Sequence, residues 1–436
     1  MSSKDPARHR GSLQYGHIDA EHLSVTHETC SPPGPTIQRG RPPSGWVFLA
    51  VFVPLFALFL STARTDLPYH IDAATNVFTA WSIGTTGSPI LSQHAELIEH
   101  PAEFAWVVAS SRGPVSQYPP GAAFLAAPLY ATVWQEASLV TLVASNAGED
   151  ISVRVPVPKL FPGAVVASAT TAAALAFTAL TVIQLGFSVR TAMLTAAISG
   201  LGTGAWSVAA DALWQHGPNM MWVALGIYLA CREKWTWAGI AFGALFVTRP
   251  PAVLIGIALG VMLLFRREWP AAGRLLIGTV PGVAALVVYN WWLFGTLTVS
   301  GGYGDAFAAE VVSTDLGWYL FNLVEAFIGP DIGLLVWSPF LALITLALVS
   351  SARQAPRWAL AAAIGGACYL LLQLKANRAS GGGGFSYYRY PLEPLTALAP
   401  LLVVAWQQLW GTGWIAKIAL AGTAGFAIVA HAVAAL

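Results

Sequence analysis

Two acids and three cations stand out in this chain because so little else in it is charged. Asp66 and Asp72 follow closely on the first apolar run. Lys375, Arg378 and Arg389 share a late loop, Lys375-Ala-Asn-Arg378-Ala-Ser-Gly-Gly-Gly-Gly-Phe-Ser-Tyr-Tyr388-Arg389-Tyr-Pro391. A carboxylate held near a membrane surface can take a proton from a hydroxyl nucleophile as a general base. Guanidinium forks and an ammonium suit the complementary role, since they grip a phosphate and stabilise the charge that grows on it as a bond to it breaks. The glycines let the backbone approach a ligand closely, at an entropic cost. Each group also has a plain structural account. The acids serve equally as interfacial residues or helix N-caps, and the cations as snorkelling partners of lipid phosphates.

Smaller clusters accompany them. In Trp214-Gln215-His216-Gly-Pro218, the histidine is either a capping and packing residue or a hydrogen-bonding group lining a cavity. Gln117-Tyr118-Pro-Pro-Gly121 specifies an extended approach followed by a helix start. Gly301-Gly-Tyr303-Gly-Asp305 is a turn or an aromatic platform, and Arg249 stands near a helix end. The chain has no G-x-x-x-x-G-K-[ST], G-x-G-x-x-G or H-E-x-x-H motif, which argues against nucleotide hydrolysis and zinc proteolysis. Cys30, Cys231 and Cys368 lie far apart, so neither a disulfide framework nor a zinc site is indicated.

These groups must be positioned by a membrane-embedded scaffold. Of 436 residues, 56% are hydrophobic and 10% charged, where a soluble domain carries roughly 25% charged residues. The formal net charge of +1 gives no reason to expect a nucleic-acid partner. Apolar runs of about 20 residues, the length that crosses a ~30 Å hydrocarbon layer, recur from Trp46 onward. They predict an all-α polytopic membrane protein. Residues 1–45 are polar and hold six prolines and four histidines (His9, His17, His22 and His27), which is the composition of a disordered cytoplasmic tail and not of a secretory signal. The remainder, 46–436, reads as one membrane domain with about eleven spans. After the first span these fall near 160–184, 191–209, 218–231, 235–248, 251–265, 274–294, 331–349, 358–374, 394–410 and 414–435, with 235–265 readable instead as one long tilted helix.

Lys/Arg placement sets the orientation. If the apolar piece 122–143 lies along the outer interface, Arg232 with Lys234, Arg266 with Arg267 and Arg274, and Arg353 with Arg357 all fall inside. The loops 64–158, 210–217, 295–330 and 375–393 are then extracytoplasmic. From Ile71, the spacing of Ala74, Phe78 and Trp81 predicts a helix lying flat on the membrane, with Asp72, Asn76 and Thr79 together on another face.

The series Asp72-Ala-Ala-Thr-Asn-Val-Phe-Thr-Ala-Trp-Ser-Ile-Gly84, then Tyr118-Pro-Pro-Gly121, Arg249-Pro250, Tyr289-Asn290-Trp-Trp-Leu-Phe-Gly295, Gly302-Tyr303, Gly329-Pro-Asp-Ile-Gly333 and Tyr388-Arg389-Tyr-Pro391-Leu-Glu-Pro394 resembles bacterial polyprenyl-phosphate-dependent glycosyltransferases. These GT-C enzymes are relatives of the protein O-mannosyltransferases and aminoarabinose transferases, and the resemblance covers roughly residues 46–410. It implies a GT-C-like fold with interfacial helices in the first outer loop and a site on the extracytoplasmic face of a bacterial plasma membrane. By position in that pattern, Asp72 is the implied base, with Asp66 second. Arg378, Arg389, Lys375, Tyr388, His216, Arg249 and Tyr118 are the implied substrate-binding groups. Many relatives carry adjacent acids where Leu67 follows Asp66 here, so no paired carboxylates are offered to a divalent cation and a metal stays open. The implied donor is a polyprenyl-phosphate sugar and the acceptor a glycan, a glycolipid or a protein hydroxyl, joined by an inverting single displacement.

Two other functions suit a polytopic chain. A transporter or lipid flippase should show related halves and charged or broken helices at mid-membrane. A noncatalytic scaffold would explain the spans but not outward cations beside an acid-bearing loop. The near absence of charge within the spans favours chemistry at the surface.

Overall fold

The computed structural model describes residues 44–65, 71–100, 104, 106–146, 149–381 and 387–436. Asp66 and the tail histidines lie outside the described residues. The described residues are 74% helical, and from Ser44 onward they form one compact unit.

Apolar runs become helices where no internal signal interrupts them. The chain begins with α1 (Ser44–Thr62) and α2 (Ile71–Thr86), followed by the strands β1 (Val107–Ser110) and β2 (Gly113–Ser116), α3 (Gly121–Thr132), and the strands β3 (Ala137–Asn146) and β4 (Glu149–Pro158). A run of helices follows: α4 (Phe161–Gln184), α5 (Val189–Leu201), α6 (His216–Cys231), α7 (Trp235–Thr248), α8 (Leu254–Phe265) and α9 (Trp269–Phe294). Then come two short helices, α10 (Ala306–Val312) and α11 (Leu316–Ile328), and the single turn α12 (Leu334–Trp337). The chain closes with α13 (Phe340–Gln354), α14 (Arg357–Ala376), α15 (Leu392–Gly411) and α16 (Trp414–Ala435).

Five helices, α1, α4, α9, α14 and α16, are long and apolar enough to cross a membrane. Their burial separates centre from rim. The apolar window of α4 is 83% buried, against 22% for α1, 17% for α9 and 28% for α16. Alanine, serine and threonine dominate α4, so neighbours can pack tightly against it on every side. Helices α7 and α9 meet through glycines four residues apart on each, Gly239 and Gly243 against Gly278 and Gly282. A Cβ built on Gly239 would sit 2.9 Å from the Gly278 Cα.

Helices occupy most of the segments expected to be apolar, with some differences in the elements. The described residues are mostly helical, as expected of an all-α membrane protein, and the first loop adds two short antiparallel hairpins, β1–β2 and β3–β4. The apolar piece 122–143 is not one element: α3 ends at Thr132, and Ala137–Asn146 pairs instead with Glu149–Pro158. In β4, Val153, Val155 and Val157 are buried while Ser152 and Arg154 are exposed, the period-two alternation that makes a half-buried strand. Segments 191–209 and 331–349 are each interrupted, the first at Gly202-Thr-Gly204 before a π-helical turn, the second at Ser338-Pro339. The stretch 235–265 is two helices, because Arg249 takes extended angles (φ −155°, ψ 94°) ahead of Pro250-Pro251.

Candidate active site

Asp72 occupies the first turn of α2. The helix is tied down beside the 210–217 loop by Asn76, whose Nδ2 donates to the Leu213 carbonyl at 2.9 Å. Arg64, just after α1, meets the same loop through Asp211, its backbone N–H lying 3.0 Å from the Asp211 carbonyl oxygen. Burial pushes the Asp211 carboxyl upward from its ordinary value, and Arg64 opposes that shift.

Two further segments close on Asp72. Tyr118 donates its hydroxyl to Oδ1. Arg389 donates from Nη1 to Oδ2 at 2.8 Å, in a pair whose side chains are 25% (Asp72) and 6% (Arg389) exposed. Burial, followed by the charge of Asp72, raises the Tyr118 hydroxyl far above its ordinary value, so it remains a donor. Tyr118 is placed by Gly121, which begins α3 against the end of α7: a Cβ there would stand 2.5 Å from the Thr248 Cα. Gly302 packs comparably on the Gln117 backbone and brings Tyr303 edge-on to Tyr118 at 5.8 Å between ring centroids. The Arg389 guanidinium lies over Trp214 (5.1 Å) and Tyr390 (5.0 Å), and Nη2 donates to the Gly381 carbonyl.

These groups border a cavity of about 560 Å³. Among the described residues its charged lining is Asp72 and three guanidiniums, Arg249, Arg378 and Arg389. Arg249 sits over Tyr390 at 5.4 Å, with Nη1 3.5 Å from His216 Nε2. Arg378 is exposed to the cavity and forms no ion pair among the described residues. A site with one carboxylate and three guanidiniums favours an anion, and the surrounding aromatic and apolar walls strengthen each charge by excluding water.

The structure therefore brings Asp72, Tyr118, His216, Arg249, Arg378 and Arg389 to one cavity. It sets two expected residues apart. Lys375 points away, donating to the Glu310 carbonyl (2.9 Å) and Ser313 Oγ (2.6 Å), and so stitches the end of α14 to α10. Tyr388 is buried on the far side of its loop, its hydroxyl 2.6 Å from Ser338 Oγ and its ring edge-on to His431, because consecutive residues of an extended segment face opposite ways. Arg389 also departs from expectation, since it is engaged by the carboxylate and is not a free phosphate grip.

Sequence reasoning missed Glu393. It is fully buried in the first turn of α15. Its Oε1 lies 2.9 Å from His216 Nδ1 and accepts from Asn219 Nδ2 at 3.2 Å. A lone acid inside an apolar helix was the available signal. Tyr303, read from the sequence as part of a turn or an aromatic platform, lines the cavity, its hydroxyl raised by burial above the ordinary phenol value. Among the described residues no group of three or more His, Cys, Asp or Glu could hold a metal ion. The chain matches no family model, no curated protein and no solved structure.

Proposed function

We propose that the protein is a membrane glycosyltransferase that moves a sugar from a polyprenyl-phosphate donor to an acceptor hydroxyl on the extracytoplasmic side. One observation carries this reading: a quarter-exposed carboxylate, Asp72, shares a cavity with two guanidiniums that it does not neutralise, Arg249 and Arg378. A base and an anion grip must stand together, yet unpaired with each other, for a displacement at a sugar carbon bonded to phosphate.

Asp72 takes the acceptor proton. The acceptor oxygen then bonds to the anomeric carbon. The carbon–oxygen bond to phosphate breaks, and its electron pair leaves with the phosphate, where Arg249 and Arg378 stabilise it. Attack opposite the leaving group inverts the centre. Arg389 serves as the orienting partner of the base, a role that replaces the phosphate contact expected from sequence.

The orientation rests on the distribution of cations. Helices run alternately toward and away from the cavity, and the turns at the distant ends carry Arg190, Arg232, Lys234, Arg266, Arg267, Arg353 and Arg357. The positive-inside bias places that end in the cytoplasm and the cavity outside, with about eleven crossings.

The test is transfer by purified protein in lipid, using labelled polyprenyl-phosphate sugars with membrane extract as the acceptor source. Asp72→Asn should lower transfer by about 10²–10⁴ while donor binding persists. Undiminished turnover by that variant would remove Asp72 from the chemistry. A wild type that carries the donor across vesicles without cleaving it would make the protein a transporter.

A further inference from the structure

Against the cavity lies a polar floor of buried side chains that the displacement does not use: Gln215 and Gln373 line the cavity, and Glu393, Asn219 and Tyr369 stand behind them. Glu393, Asn219, Gln373, Tyr369 and Gln215 are all buried, with 0%, 0%, 2%, 0% and 7% exposure. Among the described residues, Glu393 Oε2, Asn219 Oδ1, Gln373 Oε1, Gln215 Nε2 and the Tyr369 hydroxyl have no hydrogen-bonding partner. Each such group carries a desolvation penalty if left dry. Five of them in one place are hard to reconcile with a structural core, which satisfies nearly all its buried polar atoms.

The five belong together. Asn219 and His216 both bond Glu393, Gln215 precedes His216, and Gln373 follows Tyr369 by one turn of α14. Gln215, His216 and Gln373 reach the cavity lining. Since Asn219 spends its amide N–H on Glu393, its open oxygen is an acceptor, and so is Glu393 Oε2. The glutamine amides, turned either way, add one donor and one acceptor edge each. A phosphate would require donors alone, and a hydrocarbon would require neither. A neutral ring bearing several hydroxyls both donates and accepts, which matches the Gln215 and Gln373 amides at the lining, and the Glu393 carboxylate behind His216 disfavours a second carboxylate there.

We propose that this floor is the sugar-recognition subsite, reading the hydroxyls of a neutral sugar through Gln215 and Gln373, with the Glu393–His216 pair behind them. The inference rests on the transferase reading. Arg249 supports the placement, because it links the two regions: a phosphate held on its guanidinium sets the attached ring beside His216, 3.5 Å away.

The experiment measures binding to the full-length protein in lipid nanodiscs. The probes are bare polyprenyl phosphate, a panel of polyprenyl-phosphate neutral sugars and one polyprenyl-phosphate uronic acid. Wild type should bind at least one neutral-sugar carrier about tenfold or more tighter than the bare carrier, and the uronic-acid carrier no tighter than bare. Gln373→Leu should abolish most of that preference and leave bare-carrier affinity within about twofold. Gln215→Leu provides a second variant should the first fail to fold. Arg249→Ala should weaken every carrier. Equal weakening of bare and glycosylated carriers by both glutamine variants, or no effect of either, would mean that the floor holds only water, and the inference falls. If wild type binds no carrier at all, the transferase reading itself fails, a result distinct from lost preference.

Discussion

Asp72 and Arg389 cannot be substituted interchangeably. Asp72→Ala leaves a guanidinium that is 6% exposed without its carboxylate, a loss of about 3–5 kcal/mol. Asp72→Asn keeps an acceptor for Tyr118 and should unfold within a few degrees of wild type; a thermal melt in detergent separates the two. His94 gives a second prediction. Its ring stacks on Phe78 at 4.6 Å, Nε2 donates to the Pro156 carbonyl at 2.8 Å, and burial lowers its pKa to about 4. The folded protein holds this group neutral, so its contribution is complete above pH 6.5 and is lost as pH falls from there toward 4, on the order of 3 kcal/mol in all. Thermal unfolding followed between pH 7 and 4 should show that loss, and His94→Gln should flatten it. At this scale the sequence was informative where charge is rare, so Asp72, Arg249 and Arg389 were visible as exceptions. Glu393 was not, because its meaning depends on His216, 177 residues away.

The helices were legible because an apolar run of sufficient length has one stable form in a bilayer. The hairpins were not. Ala137–Val143 is apolar enough to extend α3, and only pairing with the alternating Ile151–Pro158 makes it a strand. The placement of Tyr303 was equally hidden, since it depends on Gly302 touching a backbone nearly two hundred residues earlier in the chain. Gly302→Ala would force that contact apart, costing about 1–3 kcal/mol and pulling Tyr303 off Tyr118; tyrosine fluorescence would not resolve the change, but donor affinity, lowered severalfold, would. The stitch made by Lys375 gives an opposite expectation. Lys375→Ala should speed amide exchange across α10 and reduce transfer less than tenfold, because the cation holds an element and not the ligand.

At the scale of the whole molecule, the topology proposed above puts Thr314 and Thr412, both exposed, on opposite faces of the membrane. With Cys30, Cys231 and Cys368 replaced, Thr314→Cys should react with an impermeant thiol reagent added outside intact cells, and Thr412→Cys only after the membrane is opened. Reaction of both from outside would reverse the assignment of spans. The helix α11 adds a kinetic consequence. Asn322 fastens it to the Leu374 and Asn377 carbonyls beside Arg378, while Leu316, Leu320, Phe321, Val324 and Ile328 remain exposed. An apolar flank of that kind sits in acyl chains, so whatever enters past it arrives by lateral diffusion. On the proposed transferase reading, rates should then track the mole fraction of carrier among the surrounding lipids, and diluting the protein with empty liposomes at constant bulk concentration should leave them unchanged only so long as that two-dimensional density is preserved.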